Sequence, residues 1–417
     1  MFFGWRVVAG SFVSMMLVIG FFTYTFTLFV TPVREEFGAS LEQVMNSLTL
    51  GTLLGLILSP VCGVLIDRFP VRVLMTLGCL IVAAGFWAMS LAPTIVMFNI
   101  LFALTFSIGN GLAGAVSGSA AVSRWFVRSR GRALGITTIG TSAGGMALPP
   151  LATYWLAEYG WRGAMENMAL LTLLVVLPVV WLNIRGKPED IGMLPEGAED
   201  AVASPSSPVA PALGMGEIIK RKDFWLIGFS VGLLLAVFSS MLANLSPYAT
   251  QLGATKLQAS TLVMTLSVSG LIGKIVFGMA ADRFSLKWGL WCAHGLITCG
   301  FLVLATEPAY AFMVLAAVCL GLATGGLLPV WNAMMARVFG VDSYGRAMGA
   351  MGPVITLLII PAYQAVGRLY DIHGNYILVL QIFSGIAVLA ALMLVPLKIV
   401  EQGVADPAQK PTLDPTP

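Results

Sequence analysis

One lysine lies inside an apolar stretch that is long enough to cross a bilayer. The segment Leu257–Ala281 carries no charge except Lys274, and at about 1.5 Å per helical residue it spans the roughly 30 Å of hydrocarbon in a membrane. A cation at that depth costs roughly 3 kcal/mol on insertion scales, so it normally faces a water-filled cavity or a partner. Lys274 is therefore a candidate for binding an anion. The alternative is a snorkelling lysine, whose ammonium reaches the headgroups.

The composition excludes an ordinary soluble protein. Of the residues, 58% are hydrophobic and 10% are charged, whereas about a quarter are charged in a typical soluble chain. The five cysteines lie almost wholly in apolar stretches without metal-ligand spacing, and His294 and His373 do not form a pair. No nucleophile–base pair, metal cluster or phosphate-cradling loop is visible. We therefore predict a protein of the lipid bilayer that is not an enzyme and has no metal site, cofactor or nucleic-acid partner.

Apolar stretches separated by short polar loops predict twelve transmembrane helices, six on each side of a long polar segment. The predicted spans are Val7–Val30, Gln43–Ile66, Val71–Leu91, Thr94–Ser123, Ala133–Ala157, Met165–Ile184, Asp223–Thr250, Leu257–Ala281, Leu286–Ala305, Ala309–Val338, Ala347–Leu369 and Tyr376–Leu397. The first is too long for a signal peptide and is interpreted as an uncleaved span. We expect an all-α polytopic protein with two six-helix bundles, residues 1–184 and 223–399, joined by a flexible linker, 185–222, and followed by a disordered tail, 400–417.

The distribution of basic residues predicts the orientation. With both termini on one side, 18 of the 23 Lys and Arg residues lie in segments on that side, and four lie on the other. Basic residues favour the cytoplasmic side of a membrane. We therefore expect cytoplasmic termini and a bacterial inner, or plasma, membrane, with the chain functional as a monomer.

Two short segments repeat at nearly the same offset. GVLIDRFPVR at Gly63–Arg72 recurs as GMAADRFSLK at Gly278–Lys287, and GRALG at Gly131–Gly135 recurs as GRAMG at Gly345–Gly349. Matching loops in two six-span halves indicate duplication, and an even number of spans makes the halves parallel repeats. The charges in these loops could hold the halves together on the cytoplasmic side. The predicted latch residues are Gly63, Asp67, Arg68, Arg72, Gly278, Asp282, Arg283, Lys287, Arg132 and Arg346.

These repeated loops resemble the signature of the major facilitator superfamily. Further segments resemble the monocarboxylate transporter family and its bacterial oxalate/formate relatives: GWRVVAGSF at Gly4–Phe12, RWFVRSRGRALG at Arg124–Gly135, GWRGAM at Gly160–Met165 and GRLYDIHGNY at Gly367–Tyr376. The resemblance implies the two-bundle fold of that superfamily. It also implies transport of small organic anions, commonly together with a proton or in exchange for another anion.

The resemblance assigns a role to Lys274 and marks two departures. In that family a basic residue of span eight contacts the substrate carboxylate, and Lys274 stands at the matching place, four residues before Gly278. Animal members also carry a lysine in span one and an acidic residue four positions before the cation. Here span one is uncharged and that position is Gly270, so their proton-coupling mechanism does not transfer. Span eleven lacks the second basic residue of dicarboxylate exchangers, which favours a monocarboxylate.

Other polar side chains within the spans could line the same cavity. These candidates are Tyr24, Asn244, Tyr248, Trp331, Asn332, Tyr363 and Gln364. The resemblance associates the position of Asn332 with selection of substrate size. Each of these side chains could instead form a helix-to-helix hydrogen bond, which is worth only about 0.6 kcal/mol in a membrane.

The sequence therefore predicts a secondary active transporter of small organic anions, with monocarboxylates favoured, working by alternating access. A coupling proton is possible, since burial disfavours a charged amine and a bound anion favours it, so Lys274 could gain a proton together with its substrate. One alternative is a major facilitator transporter of another small solute, which exchanges dicarboxylates or transports drugs or siderophores. Lys274 would then have a structural or coupling role. The other is a sensor or assembly partner that keeps the fold without transporting.

Overall fold

The computed structural model describes residues 2–126, 129–196, 214–281, 285–339 and 343–397. Its α-helices are α1 Gly4–Ile19, α2 Thr27–Phe37, α3 Leu41–Arg68, α4 Val71–Ser90, α5 Ile95–Ala113, α6 Ala115–Ser123, α7 Arg130–Leu171, α8 Leu177–Asn183, α9 Met215–Lys220, α10 Lys222–Ala243, α11 Leu245–Gln251, α12 Lys256–Ala281, α13 Leu286–Leu304, α14 Tyr310–Phe339, α15 Tyr344–His373 and α16 Ile377–Leu392. Two π-helical turns, Gly20–Thr25 and Thr172–Val176, continue α1 into α2 and α7 into α8. The all-α polytopic fold is confirmed.

The predicted spans are present in the described part of the chain. Ten helical stretches there are long and apolar enough to cross a membrane. One of them, Arg132–Asn183, contains two spans, because Gly160 interrupts it with a φ of +67°. The apolar helix Ile377–Leu392 occupies the place of the twelfth.

Contacts at the helix ends define two sides of the molecule. Arg6, at the start of α1, donates to Asn183 Oδ1 at 3.1 Å, and the Arg132 guanidinium lies 5.9 Å from the Trp5 ring centroid. The chain from Arg132 to Asn183 thus begins and ends on the same side and must turn back at Gly160. We call the side of Arg6 and Asn183 the terminal side, and the side of Gly160 the far side.

Small residues bring neighbouring helices into backbone contact within each bundle. A Cβ on Gly140 would lie 2.5 Å from the carbonyl oxygen of Phe12, so α7 packs directly on α1. In the other bundle, a Cβ on Gly325 would overlap the carbonyl oxygen of Gly270, so α14 packs directly on α12. Such close approach is how helices associate in lipid, where packing replaces the hydrophobic effect. The α12–α14 pair forms the rigid support of Lys274.

The described ends of the predicted linker pack against the bundles. The backbone N–H of Glu196 donates to Trp125 O at 2.9 Å, and its carboxylate accepts from the Ser129 hydroxyl at 2.6 Å. On the other side of residues 197–213, which lie outside the described part, α9 buries Ile218. The predicted tail from residue 400 onward also lies outside it.

Candidate functional site

The Lys274 side chain crosses from one bundle to the other. Its Nζ donates to Thr141 Oγ1 at 3.0 Å and to Ser142 Oγ at 2.9 Å, both on α7. Ser142 is buried and Lys274 is half-buried. The Thr141 hydroxyl in turn donates to the carbonyl of Thr138 at 2.9 Å. The ammonium is therefore held by two neutral hydroxyls at the bundle interface, which does not fit the snorkelling alternative.

The ammonium retains capacity for an anion. A lysine has three N–H donors, and two of them are used by the α7 hydroxyls. Among the described residues no Asp or Glu lies within ion-pair distance of Nζ; the Arg162–Glu36 pair at 2.8 Å belongs to the far side. Within the described part of the chain, Lys274 thus has no acidic partner and keeps a third donor. This is the arrangement that one carboxylate oxygen would complete.

Close packing of α12 on α7 continues toward the far side of Lys274. A Cβ on Gly145 would overlap Ser267 Oγ and would lie 2.8 Å from Cγ of Tyr24. The Ser267 hydroxyl is buried and lacks a hydrogen-bond partner within the described part. Ser267 precedes Lys274 by seven residues, or two helical turns, so both side chains lie on the α12 face that meets α7. Tyr24, predicted from sequence, therefore lies at the same contact between α7 and α12 as Lys274.

Toward the terminal side of Lys274 the bundles separate. One turn beyond it, a Cβ on Gly278 in α12 would meet no atom within 4 Å, and the same holds for Gly135 in α7. Gly55 in α3 and Gly349 in α15 are open in the same way. The terminal-side faces around these glycines are therefore open, and this opening begins one turn from Lys274.

A second polar contact joins the bundles between α3 and α15. Gln364 Nε2 donates to Asn46 Oδ1 and to Thr49 Oγ1, both at 2.7 Å. Its neighbour Tyr363 is buried. Gln364 therefore shares the interface with Lys274 but belongs to the opposite pair of helices.

Two further predicted residues make buried contacts close to the far side. Asn244 donates to Ser240 O at 2.8 Å and approaches Met45 Sδ at 3.4 Å, and Tyr248 donates to Leu304 O at 2.5 Å. Each of these hydrogen bonds satisfies a polar group within the protein, which is the helix-packing alternative for these residues. No hydrogen bond brings either side chain to Lys274.

Trp331 and Asn332 lie on α14 toward the terminal side. Asn332 is exposed. Trp331 is buried, and within the described residues its indole N–H has no hydrogen-bond partner. An unpaired buried donor costs free energy, so this N–H is available to a ligand or a water molecule. No hydrogen bond joins either side chain to Lys274, whose described partners are Thr141 and Ser142.

Sequence reasoning missed the hydroxyls that hold Lys274. Thr141 and Ser142 stand in the run TTIGTSAGG, where the Gly residues that pack α7 on α1 and α12 are a signal of a buried interface. Serine and threonine in helices usually bond their own backbone, as Thr137 does to Ala133 O at 2.8 Å. That habit hides which of them faces another helix.

Comparison with known proteins identifies the family. The model of the Major Facilitator Superfamily matches residues 10–270 and 231–417. The chain belongs to the major facilitator superfamily. Within it, the chain resembles the monocarboxylate transporters and the oxalate/formate antiporters, as the sequence motifs predict.

Three relatives illustrate the range. The chain is 24% identical to monocarboxylate transporter 12 of Mus musculus over 89% of this chain and 81% of that protein. It is 25% identical to the oxalate:formate antiporter of Oxalobacter formigenes over 81% of this chain and 78% of that protein. It is 32% identical to the riboflavin transporter RibJ of Trypanosoma brucei brucei, but this match covers 43% of the chain and only 32% of RibJ.

The terminal-side loops of this facilitator place several predicted latch residues against their own bundles. Arg72 donates to Trp181 O at 3.0 Å with its guanidinium 3.8 Å from the Trp181 ring centroid. Lys287 donates to Val395 O at 2.8 Å and to Leu397 O at 3.0 Å. Arg68 and Arg346 are exposed, and Arg132 lies near Trp5 as described above.

The predicted latch between the two bundles stays a prediction, because several of its residues are not described. Asp282 and Arg283 lie outside the described residues, and the burial of Gly63 and Asp67 in α3 is not described. Gly278 is described, and a Cβ there would meet no atom within 4 Å.

Proposed function

We propose that the chain is a secondary active transporter of small monocarboxylates, with Lys274 as the partner of the substrate carboxylate. The observation that carries the proposal is the Lys274 ammonium at the bundle interface. Two neutral hydroxyls hold it, and no carboxylate within the described part pairs with it. A structural ion pair would instead place an acidic side chain at that point.

The number of charges supports a single carboxylate. One ammonium balances one negative charge, and α15, which contacts the other bundle through Gln364, carries no basic residue between Ala347 and Val366. A dicarboxylate would bring a second charge into a partly buried site without a partner, which is costly. Dicarboxylate exchange is therefore the less favoured form of anion transport.

The arrangement of the bundles supports alternating access. The cross-bundle hydrogen bonds of Gln364 lie in the far-side half of α15, and those of Lys274 lie about two turns from the terminal-side end of α12. The glycines beyond Lys274 on the terminal side are open. Rocking of two parallel repeats about a fixed central site would exchange that opening for one on the far side. Because 18 of the 23 basic residues belong to the terminal side, we propose that this side is cytoplasmic and that the present opening faces inward.

Transport of a neutral solute is a second candidate. The riboflavin transporter RibJ is similar to part of the chain. It is named for riboflavin, a solute without a carboxylate. In that case Lys274 would bind a polar group of the solute or take part in coupling. The charge of the transported solute distinguishes the two candidates.

The proposal is tested by uptake of radiolabelled pyruvate, lactate and formate into liposomes containing the purified protein. Uptake is measured with and without an inward proton gradient, for the native chain and for Lys274→Ala. We expect saturable uptake that Lys274→Ala abolishes, with acceleration by the gradient if a proton moves with the anion. Riboflavin is measured in parallel.

The matched control is Lys220→Ala, because Lys220 ends the short helix α9 and is exposed. Its uptake should equal that of the native chain. Folded native protein that moves none of the three monocarboxylates would overturn the proposal, and uptake of riboflavin alone would favour the second candidate.

A further inference from the structure

An acidic side chain of one bundle caps a helix of the other on the far side. The carboxylate of Asp371, near the end of α15, accepts from the backbone N–H of Leu41 and from that of Glu42, both at 2.9 Å. Leu41 and Glu42 are the first two residues of α3. The carboxylate thus makes one hydrogen bond with each of its oxygens across the bundle interface.

The two N–H groups are those that the local cap of α3 leaves free. Ser40 Oγ accepts from the N–H of Gln43 at 3.2 Å, and Gln43 Oε1 accepts from the N–H of Ser40 at 2.9 Å. This capping box does not reach the N–H groups of Leu41 and Glu42. Asp371 therefore completes the helix end, and a negative charge there is also stabilised by the helix dipole.

Two further contacts join the bundles next to Asp371. A Cβ on Gly367 would lie 2.5 Å from the Cα of Glu42, so α15 and α3 touch through their backbones. The Arg34 guanidinium, at the end of α2, lies 5.1 Å from the ring centroid of Tyr370. Both contacts join the two bundles within a turn of Asp371.

We propose that Asp371 is the far-side gate residue of this transporter: its carboxylate, bound to the start of α3, favours the state that is closed on the far side. When the bundles rock to open that side, Asp371 and Leu41 separate, and both N–H groups and the carboxylate pass to water. A contact made in only one of two states shifts the equilibrium between them by its free energy. The inference rests on the proposed alternating access, but not on the identity of the substrate.

The test measures how often the far side opens. Leu28 lines a cavity of about 490 Å³ between the bundles on the far side, together with residues such as Leu156, Ser246 and Thr250, and Leu28 is only 6% exposed. In Leu28→Cys protein in lipid nanodiscs, the rate of labelling by a charged maleimide reports access to that cavity. Labelling of the five natural cysteines is subtracted with protein that lacks Leu28→Cys.

Adding Asp371→Asn should raise the labelling rate at Leu28→Cys about three- to tenfold, since an amide has one acceptor oxygen, no charge, and an NH₂ that faces a donor. Asp371→Glu, which keeps the charge, should recover part of the protection. Glu158→Gln is the matched control, because Glu158 is an exposed acid just before Gly160 on the same side.

Two results would overturn the inference. One is an unchanged labelling rate in folded Asp371→Asn protein. The other is an equal increase in Glu158→Gln. General unfolding is detected separately, because it would also expose the natural Cys79, which is fully buried within one bundle. Failure of anion uptake in the experiment above would leave this measurement intact, since labelling requires no substrate.

Discussion

Replacing Lys274 by Met removes the ammonium and keeps most of the aliphatic stem, so it isolates the charge from the packing. A carboxylate on the third N–H of Lys274 would form a charge-assisted hydrogen bond. Two unit charges about 4 Å apart attract by about 4 kcal/mol at an effective dielectric constant of about 20. Because the side chain is only half-buried, water screens part of this attraction, and we take about half. A loss of about 2 kcal/mol corresponds to a roughly 30-fold increase in Kd.

The hydroxyls that hold Lys274 should behave differently. The three N–H bonds of an ammonium diverge tetrahedrally, so the carboxylate oxygen on the third is separated from the hydroxyl oxygens on the other two. We therefore expect Thr141 and Ser142 chiefly to orient Nζ. Ser142→Ala should change Kd by no more than about threefold, the effect of one modest hydrogen bond.

Isothermal titration calorimetry with pyruvate in detergent micelles, at one fixed salt concentration, measures all of these constants. A Kd for Lys274→Met within about threefold of the native value would refute the assignment of Lys274 as the anion partner. A loss in Ser142→Ala as large as in Lys274→Met would instead place the anion on the α7 hydroxyls. Repeating the titration at high salt should weaken native binding and leave Lys274→Met nearly unchanged, because salt screens charge interactions.

Two predictions concern the support of the site. Gly325→Leu should lower the yield of folded protein and its melting temperature, because the added side chain would overlap the backbone of Gly270. Gly349→Leu, at an open position, is the control. Equal loss in both variants would contradict the packing argument. Arg162→Met should destabilise the far side by about 2 kcal/mol, because the carbonyl of Ala92 and the carboxylate of Glu36 would lose their donor. An unchanged melting temperature in thermal denaturation would refute this prediction.

The sequence allowed the helices to be predicted because hydropathy is a local property. Each predicted span has a helix in the structure, including the pair that Gly160 divides. The π-helical turn Gly20–Thr25 was not predicted, since a single residue of extra winding leaves no mark on an apolar segment. That turn carries Tyr24 beside Gly145 and Ser267, so a small irregularity decides which side chain reaches the interface.

The candidate site was only partly predictable, because a span reveals which residues share a face but not which helix that face meets. Lys274 stood out since a lone charge in an apolar helix needs a partner. Asn244 and Tyr248 are polar residues four positions apart, so they share one face of a span. The structure gives both of them partners on backbone carbonyls, Ser240 O and Leu304 O. No pattern in the sequence distinguishes a polar residue that bonds a neighbouring helix from one that faces a cavity.

The choice of partners for Lys274 bears on how a transporter releases what it binds. An acidic partner would satisfy the ammonium in the empty site, and a substrate anion would then have to displace a negative charge or bind beside it. The hydroxyls of Thr141 and Ser142 satisfy two donors without neutralising the charge, so the attraction for an anion persists while the empty side chain stays in place. Hydrogen bonds to neutral hydroxyls are also weaker than ion pairs, so they can break and re-form when the bundles move. A buried ion pair at the same point would fix the bundles together, whereas this arrangement leaves the interface free to open.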